Sequence, residues 1–392
     1  MIEQSTKPGK WMFLLPWSPR AVGGVNQVVC NLHDGLNSGD AYDPMLMISD
    51  WRFKTLGSET INGINCMFLR HRAPKPRLKE LLVYILLLPF TIWSLAGFIK
   101  KQNILVVNPH YPGISAFNYA VLKRLGVGNF KLVLSLHGRD VRDILNMGRF
   151  DALIHKFIYR SADYVVACSE GLAEDAEAIL TGLKQPVKVV HNGINAEEFR
   201  AKVDSGATSS PVDSVYLLNV GTYEHKKGHD VLLKAFAKVA EKESSVRLLI
   251  AGRKTDYYDK VFNLREELGL VDRVDLLFDL DHKEVARLLY FAKFFVLPSR
   301  NEGFAISLLE AGAMGKAVIA ADVCGVAELI DDGVDGLLFQ NEDSDTLASL
   351  ILDLIKDDQK IQKLSSRLNE KVRCKYSWDV AVNKYVDILR ES

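Results

Sequence analysis

The stretch "FFVLPSRNEGFAISLLEAGAMGKAVIAADV", Phe294 to Val323, contains the pattern that decides the fold. Each end is a short apolar run rich in aromatic or β-branched residues, which is typical of strands buried on both faces. Between the runs, a polar turn at Asn301–Gly303 leads into a helical segment from about Phe304 to Met314. Two buried strands joined by a helix are expected to lie parallel, so the stretch predicts a βαβ unit.

The same alternation continues in both directions and predicts an α/β fold with parallel sheets. The first series of strand-like runs is "WMFLLPW", "ILVVNPH", "KLVLSLHG", "DYVVACS" and "VKVVHNG". The second series is "VYLLNVGTYE", "RLLIAGR", "VDLLFDL", "FFVLPSR", "AVIAADV" and "GLLFQ". A polar linker, "AKVDSGATSSPVDS" at Ala201–Ser214, separates the two series. Because 392 residues exceed one ordinary core, we predict two domains, residues 1–205 and 206–375.

Composition narrows the class of protein. Apolar residues make up 48% and charged residues 25%, as in a folded globular chain. Lys plus Arg and Asp plus Glu each number 49, so no net charge attracts nucleic acid. The five cysteines are dispersed without a C-x-x-C pair, which predicts reduced thiols in a cytoplasmic protein. The apolar run before Pro16 is too short for a secretory signal.

One segment, residues 81–99, has 19 residues without a charge and basic residues on both sides. Three interpretations stay open. It could lie on a membrane surface, with its aromatic residues at the interface, or pack as a core helix before the strand "ILVVNPH". Its length also allows it to span a membrane, although Pro89 would kink such a helix.

Ligands of parallel sheets bind at the carboxyl ends of the strands, so the turns after the runs are candidate sites. In the first domain, His137 follows "KLVLSL", and Arg139 and Asp140 come close behind it. A histidine there can bind a hydroxyl or a phosphate, or shuttle a proton. His110 and Tyr111 have the same placement after the preceding strand and are candidates for an acceptor site.

Two glycine-containing turns are candidate phosphate sites. Gly23 and Gly24 precede an amphipathic helix, where backbone amides can approach a ligand, although a simple tight turn explains them equally well. In the second domain, Gly221 is followed by Lys226, Lys227 and Gly228 in a G-x5-K-G frame before a helix. Lysines at a strand-to-helix turn suit a pyrophosphate.

The opening stretch carries two glutamates, Glu302 before the helix and Glu310 within it. Burying either one without a partner is costly. The backbone amides of residues 303–306 and the positive end of the helix dipole are expected to form an anion site between them. Glu310 can then accept hydrogen bonds from a diol. The alternative is a dipole partner at residue 302 and an ion-paired glutamate at the edge of the core.

Taken together, these motifs resemble the GT-B retaining glycosyltransferases, and most closely glycosyltransferase family 4. The resemblance covers nearly the whole chain. The features that carry it are the E-x7-E of Glu302 and Glu310, the glycine pair, "HGRD", "HNGIN" at 191–195, the G-x5-K-G frame and "CGVAELIDDGVDGLLF" at 324–339. The resemblance implies two Rossmann-like βαβ domains facing across a cleft, with the acceptor bound by the first and a nucleotide sugar by the second. It also implies that a terminal helix at about 376–392 packs back on the first domain.

Roles follow from the resemblance. Glu310 would bind the ribose hydroxyls, Glu302 would contact the donor sugar, and the amides of Gly303 and Phe304 would meet the sugar or diphosphate. Lys227 would neutralise the diphosphate leaving group. The remaining positions implied at the donor are Ala305, Gly221, Thr222, Lys226, Arg253 and Gly24, with His137 beside the transferred sugar. Those expected at the acceptor are Gly23, His110, Tyr111, Arg139 and Asp140.

The chain departs from the family pattern in three motifs. Thr222 replaces an arginine, so Lys226 or Arg253 is expected to supply the missing cation, or donor handling is altered. In the loop Cys324–Glu328, one glycine and the proline of the family's G-G-x-P-E turn are lost. Ala305 replaces a glycine. The short "DLD" at Asp279–Asp281 matches the metal-binding D-x-D of other glycosyltransferases but is interpreted as a loop.

The resulting prediction is a metal-independent, retaining transferase with no cofactor besides a UDP- or GDP-sugar co-substrate. It would act on a glycan or lipid-linked acceptor in cell-surface polysaccharide, lipopolysaccharide or glycolipid synthesis, in the cytoplasm or at the cytoplasmic face of the inner membrane. The alternatives are a nucleotide-sugar 2-epimerase on the same fold, or a donor-binding relative with little catalysis.

Overall fold

The structure is a computed structural model that describes residues 9–20, 24–49, 57–69, 72–203 and 209–390. The chain divides into two compact units. The first consists of Met1–His191 together with Trp378–Ser392, and the second of Asn192–Ser377. The change of unit therefore precedes the predicted boundary at residue 205, because Ile194 N–H donates to the Tyr376 carbonyl of the second unit at 2.8 Å.

The sheet of the first unit has the strand order β3-β4-β2-β1-β5-β6-β7-β8. Its strands are β1 (Lys10–Leu15), β2 (Asp43–Ile48), β3 (Gly57–Ile61), β4 (Ile64–Phe68), β5 (Ile104–Pro109), β6 (Lys131–Leu136), β7 (Tyr164–Ala167) and β8 (Lys188–Val189). Only the edge pair β3–β4 is antiparallel among these. Its helices are α1 (Gly24–Ser38), α2 (Leu78–Lys101), α3 (Phe117–Arg124), α4 (Arg139–Arg142), α5 (Arg149–Ser161), α6 (Glu170–Ile179) and, at the chain end, α14 (Trp378–Arg390).

The sheet of the second unit is parallel throughout, in the order β11-β10-β9-β12-β13-β14. Its strands are β9 (Val215–Val220), β10 (Val246–Gly252), β11 (Val274–Phe278), β12 (Phe295–Leu297), β13 (Val318–Asp322) and β14 (Leu337–Gln340). Its helices are α7 (Ala196–Ala201), α8 (His229–Lys242), α9 (Tyr258–Glu267), α10 (His282–Phe291), α11 (Ile306–Ala313), α12 (Ser344–Ile355) and α13 (Asp358–Lys375). The predicted α/β class with two parallel-type sheets is confirmed.

Helix α2 is unusual because it is apolar on nearly every side but packs on the protein through a few residues only. Tyr84, Leu95 and Ile99 are buried, and Tyr84 Oη donates to Asn118 Oδ1 at 2.7 Å. An apolar stripe at helical spacing faces solvent instead, formed by Leu78, Leu82, Leu86, Phe90 and Trp93. By length and composition α2 is able to cross a membrane, and only 22% of its most apolar stretch is buried in the structure. Most of α2 is therefore not a core helix.

Candidate active site

In the second unit, the carboxyl ends of β9, β10 and β12 bring three turns together. The strands are neighbours in the sheet and run parallel, so the loops after Val220, Gly252 and Leu297 leave the same edge. Gly221 and Thr222 begin the first loop, Arg253 the second and Ser299 belongs to the third. This is the edge where parallel sheets bind ligands.

Lys227 and Glu302 form a close ion pair at this edge. Lys227 Nζ lies 2.7 Å from Glu302 Oε1, and the two side chains are 17% and 10% exposed. The hydroxyl of the buried Ser299 donates to the same carboxylate oxygen at 2.7 Å. The carboxylate that the sequence places in an apolar stretch is thus satisfied by two donors, which explains why it is tolerated there.

Arg300 holds the turn that carries Lys226 and Lys227 against the turn that carries Glu302. Its backbone N–H donates to the Lys226 carbonyl at 2.8 Å. Its guanidinium donates to the His225 carbonyl, to both oxygens of Asp230 and to both oxygens of Glu342. These hydrogen bonds to Asp230 and Glu342 raise the pKa of Arg300 further above its usual range. Because the five N–H groups of an arginine are all used here, Arg300 has no donor left for a phosphate.

The two cations predicted to compensate for Thr222 differ in their surroundings. Lys226 Nζ is paired with Glu224 at 3.0 Å. The Arg253 side chain is exposed and has no hydrogen bond or ion pair to any residue that the structure describes. Its carbonyl accepts from Tyr223 N–H at 3.0 Å, which places Arg253 beside Thr222. Of the two, Arg253 is the cation that is free to meet a ligand.

Helix α11 begins at Ile306, two residues later than the predicted Phe304. The Ile306 N–H donates to the Phe304 carbonyl at 3.1 Å, so the expectation that this amide belongs to an open anion site is wrong. Ala305 precedes the helix with a non-helical ψ of 87°, and both it and Phe304 are buried. Glu310 lies within α11 and is 6% exposed.

Gly325 holds the neighbouring loop against the Glu302–Gly303 turn. Its φ is +79°, and a Cβ at this position would lie 2.6 Å from the Gly303 carbonyl oxygen and 2.9 Å from that of Glu302. A side chain would therefore both strain the backbone and collide with the turn. Of the two glycines in the family's G-G-x-P-E turn, this chain keeps the second, Gly325. The close packing against the Glu302–Gly303 turn requires a glycine at that position.

In the first unit, His110 and His137 lie side by side after β5 and β6, as their positions in the sequence predict. His110 Nδ1 is 3.0 Å from His137 Nε2, and His110 Nε2 is 3.1 Å from Asn108 Oδ1. His110 is completely buried, whereas His137 is partly exposed. Burial lowers the pKa of His137 to about 4 and that of His110 well below its usual value, with His137 adding to the effect on His110.

The other first-unit candidates differ in exposure, and each has a partner within the protein. Asp140 is buried and accepts from the N–H groups of His137 and Gly138 at 2.8–3.1 Å. Burial raises its pKa to about 7 despite these hydrogen bonds. Arg139 is exposed and lies 3.6 Å from Asp143, and the Tyr111 ring lies 5.1 Å from that of Trp17. These contacts give Asp140 a structural role in the turn that the sequence did not reveal.

The glycine pair is only partly described. Gly24 is exposed and is the first residue of α1, whereas the sequence predicted that it precedes the helix. Gly23 lies outside the described residues.

The "DLD" tripeptide closes a turn and caps a helix. Asp279 has a φ of +58°, and Asp281 accepts from the N–H groups of Lys283 and Glu284 at the start of α10. The Glu284 carboxylate in turn accepts from Asp281 N–H, which completes a capping box. Across the described ranges, no group of three or more His, Cys, Asp or Glu residues is arranged to hold a metal ion.

Sequence reasoning missed Ser299, Arg300 and Asn108. Asn108 is completely buried within the apolar run of β5, and such a polar residue inside a strand is itself a signal. Ser299 and Arg300 lie in the turn after β12, so the rule used for the other turns would have included them.

Comparisons with known proteins show the family of the chain. Residues 22–198 match the family model Glycosyltransferase Family 4, and residues 202–373 match Glycosyl transferases group 1. The chain is 26% identical over 308 residues to the N-acetyl-alpha-D-glucosaminyl L-malate synthase of Bacillus anthracis, covering 76% of this chain and 78% of that protein.

Two solved structures share the fold along almost the whole chain. Sucrose-phosphate synthase from Thermosynechococcus elongatus matches with a TM-score of 0.75 at 20% identity, covering 98% of each chain. HepE from Anabaena, in complex with UDP and glucose, matches with a TM-score of 0.74 at 17% identity, covering 98% of this chain and 100% of that one. With both family models matched in order along it, the chain belongs to the GT-B glycosyltransferases of family 4.

Proposed function

We propose that this glycosyltransferase moves a sugar from a UDP- or GDP-sugar to a glycan or lipid-linked acceptor, with retention of anomeric configuration. The reaction would serve the synthesis of cell-surface polysaccharide, lipopolysaccharide or another glycolipid. The observation that carries the proposal is the Lys227–Glu302 pair at the carboxyl edge of the second sheet, directly before α11. A nucleoside diphosphate develops negative charge as it leaves, and a fixed cation at this edge would stabilise it.

In this proposal the second unit holds the donor and the first holds the acceptor. Glu310 binds the ribose diol, Glu302 contacts the sugar, and the amides of Gly303 and Phe304 complete the donor site. A bound donor would compete with Glu302 for Lys227, because the two are paired in the structure. The UDP and glucose in the HepE complex support the choice of UDP-sugars as first probes. The proposed reaction uses neither a metal ion nor a further cofactor.

We also propose that the apolar stripe of α2 lies on the cytoplasmic face of a membrane. Leu86 and Trp93 are 79% and 74% exposed and belong to one continuous stripe. Single exposed apolar residues are normal, but a contiguous apolar patch marks an interaction surface. Arg77 and Lys79 lie at one end of α2 and Lys100 and Lys101 at the other. Positive charge at both ends favours a helix that lies along an anionic lipid surface. A lipid-linked acceptor would be presented at that surface.

Two other functions on this fold make different predictions. A nucleotide-sugar 2-epimerase would interconvert sugars without an acceptor. A donor-binding relative would bind the nucleotide tightly without transfer, and Thr222 in place of arginine is the observation that favours it.

The test is a binding and transfer screen of the full-length chain against UDP-, GDP- and ADP-sugars, with and without EDTA. We expect one nucleotide class to bind, with EDTA making no difference. Glu310→Ala should weaken binding at least tenfold, and Glu267→Ala, which changes an exposed glutamate, should not. Conversion of the sugar without an acceptor, or binding without transfer, would instead select one of the two alternatives. Anomeric analysis of the product by NMR tests retention, and an inverted product would refute it.

A further inference from the structure

Four buried or partly buried side chains form a hydrogen-bonded relay that ends at His137. Trp11 Nε1 is 3.2 Å from Asn108 Oδ1, and His110 Nε2 is 3.1 Å from the same oxygen. His110 Nδ1 is 3.0 Å from His137 Nε2. The order of the relay is therefore Trp11, Asn108, His110, His137.

The direction of every hydrogen bond in the relay follows from two groups, one of which can only donate and the other only accept. An indole N–H can only donate, so the Asn108 atom that faces Trp11 must be its oxygen. A backbone carbonyl can only accept, so the Asn108 atom that lies 2.9 Å from the Val133 carbonyl must be its nitrogen. These two constraints are independent, and they select the same orientation of the Asn108 amide.

The protons on both histidines follow from that orientation. Asn108 Oδ1 can only accept, so His110 Nε2 carries the proton that it donates to this oxygen. A neutral His110 then has a lone pair on Nδ1, and His137 Nε2 must donate to it. A neutral His137 with its proton on Nε2 has a lone pair on Nδ1. Among the described residues, none hydrogen-bonds His137 Nδ1, and the ring is partly exposed.

We propose that Asn108 and His110 fix His137 in the tautomer with its proton on Nε2, so that Nδ1 accepts a hydrogen bond from a substrate hydroxyl. Trp11 and the Val133 carbonyl each orient the Asn108 amide, and either one alone is enough. Asn108 and His110 are positioning residues in this arrangement. A phosphate oxygen without a proton cannot donate to Nδ1, so this nitrogen recognises a hydroxyl and not a phosphate. Only this last step rests on the proposed function, because a sugar supplies the hydroxyl. Burial keeps the ring neutral at pH 7, since it lowers the pKa of His137 to about 4.

The tautomer is measured directly in the ligand-free full-length chain by NMR of the ¹⁵N-labelled imidazole rings. The signals are assigned by their loss in His137→Gln and His110→Gln. We expect both rings to carry the proton on Nε2 at pH 7. A proton on Nδ1 of His137 would overturn the proposal, whether or not the chain transfers sugar.

Two variants test whether the relay causes this tautomer. His110→Phe keeps a ring in the buried site but removes the acceptor for His137 Nε2–H, so the His137 signals should shift to those of a tautomer mixture. Trp11→Phe leaves the Val133 constraint in place and should not shift them. If His137 stays wholly Nε2-protonated in His110→Phe, the relay is not what fixes it.

The hydroxyl is tested by adding the nucleotide sugar that the screen selects, in comparison with its nucleoside diphosphate. The sugar nucleotide should shift the His137 Nδ1 resonance upfield, whereas the diphosphate should leave it in place. A bound sugar nucleotide that leaves the resonance unchanged, or an equal shift with the diphosphate, would overturn hydroxyl recognition. If no nucleotide sugar binds, the proposed function and the recognition of a sugar hydroxyl are both refuted. The tautomer measurement still shows whether the relay fixes His137.

Discussion

Glu302 shows how a charge can lie in an apolar stretch of sequence without destabilising the fold. Its carboxylate accepts from Lys227 Nζ and from Ser299 Oγ, and Arg300 holds the two turns that carry these groups together. Removing one partner of such a pair leaves the other charge poorly solvated, which costs more than the pair itself contributes.

Lys227→Met should therefore lower both stability and activity. We expect a loss of about 2 kcal/mol in the free energy of unfolding, because the Glu302 charge keeps only one donor. We expect a loss of about a hundredfold in kcat, because the leaving group loses its cation. Urea unfolding and initial rates measure the two effects.

Two further variants separate these effects. Lys226→Met removes a more exposed lysine and should change stability by about 0.5 kcal/mol or less. The double variant Lys227→Met, Glu302→Gln should recover stability but not activity. If Lys226→Met matches Lys227→Met in kcat, the role given to Lys227 is wrong.

Arg253 should contribute to nucleotide binding, because its side chain is exposed, unpaired within the described residues and adjacent to Thr222. Arg253→Ala should weaken the binding of UDP or GDP roughly tenfold, as expected for loss of a charge-assisted hydrogen bond. Isothermal titration calorimetry measures the change. Lys254→Ala is the matched control, since Lys254 lies 4.2 Å from the Tyr258 ring centroid, and equal losses in both variants would contradict the assignment.

His229 should make the protein less stable in acid. It is completely buried, and neither ring nitrogen has a hydrogen-bond partner of good geometry among the residues that the structure describes. Burial, together with the charge of Lys227, lowers its pKa to about 3. The unfolded chain takes up a proton near the ordinary value of 6.5, whereas the folded chain does not, so stability falls as pH decreases from about 6.5 toward 3.

His229→Phe removes this contribution, which amounts to about 1.4 kcal/mol per pH unit below pH 6.5. The variant should lose less stability than the original chain between pH 7 and pH 5, as measured by urea unfolding at both values. Identical losses would show that His229 is protonated in the folded state. Some pH dependence should remain, because His110 and His137 are also held neutral by burial.

At the scale of elements, the strands that the sequence predicts are those whose apolar runs are continuous. All eleven quoted runs contain strands of the structure. The strands missed are β2, β3 and β4. β3 is mostly exposed and polar at an edge of the sheet, so neither a buried run nor a clean alternation marks it.

Helix starts and side-chain pairing are harder to predict. The start of α11 depends on whether the Phe304 carbonyl takes the Ile306 amide, which is a property of local backbone angles. The sequence placed Lys227 and Glu302 each after a strand, but their 2.7 Å contact joins positions 75 residues apart. That contact depends on the hydrogen bonds by which Arg300 joins the two turns, and no sequence pattern indicated them.

Helix α2 should carry the membrane contact. A Leu86→Glu, Phe90→Glu variant places charge in the apolar stripe and should abolish co-sedimentation with vesicles that contain anionic lipid. Binding by the original chain should weaken in high salt and with zwitterionic vesicles, because the basic ends lose their attraction.

Leu153→Glu is the control for α2, since Leu153 is 67% exposed on α5 and lies outside the stripe. This variant should still co-sediment with the vesicles. Equal loss in both variants, or no binding of the original chain, would contradict the assignment of α2 as the membrane-contacting helix.

At the scale of the whole molecule, the first unit combines two separate stretches of the chain, Met1–His191 and Trp378–Ser392. Tyr385 Oη on α14 is 2.9 Å from Ser135 Oγ on β6, and the Tyr385 ring meets Trp11 on β1 edge-on at 6.0 Å. Gly35 on α1 lies so close to Val382 that a Cβ would be 2.7 Å from Val382 Cγ2. Helix α14 is thus an integral part of the first unit.

This arrangement allows the second unit to fold before the first, against the order of synthesis. On the ribosome, the residues of the first unit emerge first, but its core is complete only when the last helix leaves the exit tunnel. Asn192–Ser377 is contiguous, so the second unit can fold while the first still lacks its closing helix. A nascent chain that stops at Ser377 therefore carries a complete second unit and an incomplete first unit, in which the apolar surface facing α14 is left for chaperones to cover.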